Sequence, residues 1–157
     1  MGNYRECRLG NLSGKSPPAP VDVTDVGKLV AMGRLATTEA SRRDVARNIR
    51  NLAETDEGQR QLAREDVREV LVRLGGLSES EELREDVANA IRFVARAAGG
   101  KRVLATEGVR DVLVGMGVAS ASDGVREAVA GAICNIAVLD EGGRVMATEG
   151  VRDALVG

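Results

Sequence analysis

The sequence predicts an all-α chain assembled from three-helix units of 42 residues, and three observations carry that prediction. The segment VAGAICNIA at 129–137 has a counterpart at 87–95 (VANAIRFVA) and another at 45–53 (VARNIRNLA). A second motif keeps the same period: LAREDVREVLV at 62–72, LATEGVRDVLV at 104–114 and MATEGVRDALV at 146–156. Two motifs sharing one period without insertions mark stacked structural units, which bury their faces on neighbouring units rather than in one central globule. The third observation is apolar spacing. Val45/Ile49/Leu52, Val87/Ile91/Val94 and Val129/Ile133/Ile136 recur at i, i+4, i+7, one face of an α-helix.

Each element follows from local signals. Residues 1–20 match no repeat and read as a flexible, tag-like leader. Helical spacing begins near Asp22 with Val23, Val26, Leu29 and Val30 and stops at Gly33. Gly33, Gly75 and Gly117 share the 42-residue register and are expected at helix ends in a left-handed conformation. Thr38, Ser80 and Ser122 each precede an apolar-periodic stretch, as N-caps do. Glu39, Glu81 and Asp123 follow them, where the helix dipole favours carboxylates. The long helices are expected to run to about Glu54, Arg96 and Leu139, with Ala46/Ala88/Ala130 and Ala53/Ala95/Ala137 permitting close helix approach. Gly58, Gly100 and Gly142 mark tight turns. A short helix comes next, a break is expected at Asp66, Gly108 and Gly150, and a second short helix closes the unit. The repeat domain spans 21–157: a partial repeat 22–55, repeats 56–97 and 98–139, and a truncated repeat 140–157.

Composition excludes several function classes. Tyr4 and Phe93 are the only aromatics, too few for the stacking platforms of single-stranded nucleic-acid binders. Net charge is −2 with both signs interspersed, not the basic stripe of a nucleic-acid partner. The chain has no histidine, which removes the commonest general base and transition-metal ligand. Cys7 and Cys134 are too far apart for metal-type spacing. No metal, cofactor or enzymatic activity is expected. No apolar run approaches a membrane span, and no secretory signal opens the chain, so a cytoplasmic or nuclear location is the default. Gly2 and Cys7 invite acylation, but Glu6 stands where the myristoylation motif wants Ser or Thr. Gly10 to Ser16 imitates a phosphate-binding loop but has three residues between its glycines instead of four, and Pro17-Pro18 follows at once.

Ala132-Ile133-Cys134-Asn135-Ile136-Ala137 resembles the third-helix motif of the armadillo repeat, as do 48–53 and 90–95. The family's first-helix arginine and the glycine before its second helix correspond to Arg102/Gly108 and Arg144/Gly150; Arg60 matches, while Asp66 replaces the glycine. The resemblance covers about 22–157 and implies an armadillo-type right-handed α–α superhelix. It also implies a concave groove, lined by the long helices, for an extended peptide or partner protein. Asn51, Phe93 and Asn135 occupy the family's peptide-holding Asn position; Arg47, Asn89 and Gly131 occupy its Trp position. The candidate groove residues are therefore Arg47, Asn51, Asn89, Phe93 and Asn135. Without the tryptophans, capture of basic peptides is disfavoured, and Arg47, Arg50 and Arg92 suit acidic partners better.

Plainer readings accompany each candidate. The amides of Asn51 and Asn135 either satisfy local backbone groups or reach a bound peptide. Phe93 is expected to fill core and Cys134 to be a small buried hydrophobe. Arg60/Arg102/Arg144 are expected to stitch adjacent units, and Arg68/Arg110/Arg152 and the many carboxylates to be solvated. The leading expectation is a non-catalytic protein-interaction module. The alternative is an assembly element that forms homo-oligomers through uncapped terminal repeats.

Overall fold

The computed structural model describes residues 24–156, which form ten α-helices and no strand. The leader, the acylation candidates and the loop-like glycines lie outside the described residues. The helices are α1 (Val26–Leu35), α2 (Glu39–Leu52), α3 (Asp56–Leu62), α4 (Glu65–Gly76) and α5 (Glu81–Val94). They continue with α6 (Ala98–Leu104), α7 (Glu107–Ala119), α8 (Asp123–Ala137), α9 (Asp140–Met146) and α10 (Glu149–Val156). None is long and apolar enough to cross a membrane.

Packing follows the sequence period. Each long helix lies against the next, α2 on α5 and α5 on α8. The same holds for α1, α4, α7 and α10 in turn, and for the short helices α3, α6 and α9. One contiguous apolar core runs through these rows from Val26 to Val151. The i, i+4, i+7 stripe is buried except for Leu52, which is half-buried against that core.

Thr38, Ser80 and Ser122 cap the long helices as expected, accepting from Ser41 N, Leu83 N and Val125 N. The long helices end about two residues sooner than spacing suggests, at Leu52, Val94 and Ala137. The break within each unit also falls earlier, before Glu65, Glu107 and Glu149, not at Asp66, Gly108 and Gly150. The cause is capping: Thr106 and Thr148 accept from Val109 N and Val151 N. Asp66 replaces the glycine freely because a Cβ at Gly108 or Gly150 comes no closer than 3.7 Å to any atom.

The glycine expectation is corrected. No described residue has a positive φ. Gly33, Gly75 and Gly117 sit inside α1, α4 and α7, where the next unit leans on them. A Cβ at Gly33 would lie 2.4 Å from Val70 Cγ1, and one at Gly75 2.2 Å from Val112 Cγ1. Gly58, Gly100 and Gly142 likewise serve contact: their helices press on the last carbonyls of the long helices, and a Cβ there would lie within 2 Å of Leu52 O, Val94 O or Ile136 O.

The arginines that join units differ from those expected. Arg60 is exposed and pairs with Glu57 of its own helix at 2.8 Å; Arg102 and Arg144 are exposed. Backbone carbonyls of an adjacent unit are instead reached by Arg42, which donates to Leu77 O at 3.4 Å, by Arg68 to Val103 O at 3.4 Å, and by Arg73 to Ala36 O at 3.2 Å. Arg68 is therefore half-buried rather than solvated.

First-turn carboxylates add a second connection. Glu39 accepts from the backbone N–H of Ser80 at 3.3 Å and from its hydroxyl; Glu81 accepts from Ala121 N at 3.3 Å and from the Ser120 hydroxyl. The Ser120 hydrogen bond holds the Glu81 carboxyl below its ordinary pKa. A carboxylate depressed on folding stabilises the fold above its unfolded pKa, about 4.3, and loses that contribution as pH falls through the folded value. Glu81→Gln should therefore be less stable than wild type at neutral pH, and the difference should shrink on acidification below about pH 4. Urea titrations at pH 7 and pH 3 check this; a difference that grows at pH 3 contradicts it.

Candidate functional site

The long helices carry the candidate groove residues, and their environments differ. On α2, Arg43, Arg47 and Arg50 share one stripe at i, i+4, i+7 and face α5. Opposite them is Asp86, whose side chain is only 7% exposed. Arg50 Nη1 donates to Asp86 Oδ1, and Arg47 Nε lies 4.0 Å from Oδ2. Burial pushes the Asp86 carboxyl above its ordinary pKa, against the pull of Arg50, Arg47 and Arg43. With Glu82 and Glu85, these groups line a pocket of about 210 Å³. Three arginines thus face three carboxylates across the α2–α5 seam.

The sequence pattern does not single out Asp86. Its 42-residue counterparts, Asp44 and Ala128, are an exposed acid and a buried methyl, so the register gives no hint of a buried carboxylate. The nearest signal is the arginine stripe on α2, which requires a counter-charge on whatever helix covers it.

Between α5 and α8 the side chains interlock. Arg92 lies across Gly131, where a Cβ would sit 2.6 Å from Arg92 Nε, and pairs with Glu127 at 3.7 Å. Asn135 Nδ2 donates to Arg92 O at 3.0 Å. That carbonyl needs an outside donor, because Arg96 N turns to Phe93 O at 3.1 Å instead. Asn135 therefore joins two units. Asn51 stands exposed at the end of α2, its Oδ1 accepting from Arg50 Nη2 at 3.2 Å. Phe93 is half-buried against the core, with the Arg96 guanidinium 4.4 Å from its ring centroid. Asn89 is half-buried and Arg47 partly exposed.

So the structure brings Arg47 to Asp86 and Asn135 to a backbone carbonyl, and leaves Asn51 facing solvent. Cys134 is corrected: it is exposed, because one residue past Ile133 turns about 100° off the buried stripe. Among the described residues no group of three or more His, Cys, Asp or Glu side chains could hold a metal ion. Compared with known proteins, the chain matches no family model and no curated sequence.

Proposed function

We propose that this chain is a non-catalytic interaction module of the armadillo type, a right-handed superhelix whose long helices present one face to an extended peptide or partner protein. The observation that carries the reading is the row α2–α5–α8, in which each long helix packs on the next. Asn51 is the groove-type amide still open to solvent, with Arg47 one turn before it and Asn89 and Phe93 at the matching positions of α5. The Arg43, Arg47 and Arg50 stripe favours a peptide with acidic side chains, which would compete with Asp86 for the Arg50 and Arg47 guanidinium groups.

The test separates binding from folding. A peptide array with acidic and basic sequences should retain acidic ones. Asn51→Ala should weaken them by about tenfold, one lost backbone pair of about 1.4 kcal/mol, without changing stability. Asn135→Ala should instead lower stability by about 1 kcal/mol through the unpaired Arg92 carbonyl. Equal binding by wild type and Asn51→Ala removes the groove mechanism.

A further inference from the structure

The seams between successive units superimpose in the 42-residue register, and they are not equivalent. In the first, Arg73 of α4 reaches back to the C-terminal end of α1, donating to Ala36 O at 3.2 Å and Gly33 O at 3.5 Å. Helix ends leave such carbonyls without intrahelical donors and at the negative end of the dipole. Arg34 pairs with Glu69 at 3.6 Å along the same seam.

In the second seam, between α4 and α7, glycines hold both arginine positions: Gly115 for Arg73 and Gly76 for Arg34. A Cβ at either would meet nothing within 4 Å. The space forms a crevice of about 380 Å³, lined among others by Gly75, Ser78, Asp111, Val112 and Met116. One carbonyl and one carboxylate of the acceptor set remain although the arginines are gone. Asp111 stands in the place of Glu69, and Gly75 and Ser78 in those of Gly33 and Ala36. The Ser78 hydroxyl and backbone N–H fill Gly75 O at 2.6 and 3.3 Å, but Ser78 O has no protein donor among the described residues. Asp111 is exposed and shared with Arg110 at 2.8 Å; Arg84, on the crevice wall, is held by Glu81 at 3.3 Å.

We propose that this crevice receives an arginine side chain presented by a partner protein. The molecule's own Arg73 shows the chemistry: a guanidinium on the helix-end carbonyls. In the second seam its counter-charge would be Asp111, with the methylene stem over Val112 and Met116. A planar fork of five donors can span the Ser78 carbonyl and the Asp111 carboxylate together better than the point charge of lysine can. The site lies between α4 and α7, not on the long-helix face, so it stands or falls separately from the groove.

The experiment is an amide chemical-shift titration with the peptide acetyl-Gly-Arg-Gly-amide, alongside its lysine and citrulline analogues. The arginine peptide should shift Gly75, Gly76, Ser78 and Asp111 saturably. The neutral citrulline analogue should bind at least about tenfold more weakly. Gly115→Arg should fill the crevice from within and abolish binding, and Asp111→Asn should weaken it severalfold. Equal response to arginine and citrulline, or undiminished binding by Gly115→Arg, overturns the proposal. Should Gly115→Arg fail to fold, the citrulline comparison and Asp111→Asn decide alone.

Discussion

Gly100→Ala should lower the melting temperature by about 6–12 °C, the equivalent of about 3 kcal/mol in a chain of this size. The added methyl would sit 1.9 Å from Val94 O and 2.7 Å from Val94 C. Both are backbone atoms, so no side-chain rotation relieves the clash; α6 must lift off the end of α5. Alanine's higher helix propensity, worth about 1 kcal/mol, is too small to offset this. Gly58 and Gly142 make the same contact with Leu52 O and Ile136 O, so their alanine variants should behave alike. The control is Gly115→Ala, also within a helix but facing open space. It should raise stability by about 0.5–1 kcal/mol. Thermal denaturation followed by circular dichroism reads both. Opposite signs are the expected result; a Gly100→Ala variant as stable as Gly115→Ala would mean that the helices do not meet this closely.

Much of the architecture is legible in the sequence because it depends on short-range physics. Caps at Thr38, Ser80 and Ser122 and the stripes of α2, α5 and α8 need only neighbouring residues to declare themselves. What the sequence conceals depends on the adjoining unit. Gly75 is written as a helix terminator in local grammar, yet its role is to admit Val112 from 37 residues away. Asn51 and Asn135 hold the same register position, but Asn135 reaches the Arg92 carbonyl of the preceding unit, whereas the residue 43 positions before Asn51 lies outside the described residues. The burial of Asp86 is set by α2 lying over it, and its counterparts Asp44 and Ala128 conceal that. Arg60 reads as a connector because it repeats; its nearest acid, Glu57, lies one turn away on the same helix and takes it first.

Gly75→Ala should cost about 1–3 kcal/mol, and Val112→Ala should recover most of that loss in the double variant. The new methyl would approach Val112 Cγ1 to 2.2 Å, and a β-branched valine on a helix has one strongly preferred rotamer to yield from. Removing both γ-carbons removes the obstacle, so the pair should couple by about 1–2 kcal/mol in a double-mutant cycle. The molecule contains its own comparison. Gly33 faces Val70 at 2.4 Å and should respond like Gly75. Gly117 instead faces Ala154, with the methyl 3.4 Å from Val129 Cγ1 and 3.5 Å from Ala154 Cβ, ordinary contact at most slightly tight. Gly117→Ala should therefore be close to neutral or mildly stabilising, although the residue is buried and occupies the same place in its unit. Chemical denaturation of the four single variants and the double variant settles the matter. If Gly117→Ala loses as much as Gly75→Ala, the glycines are required by the helix itself and not by the valine of the following unit.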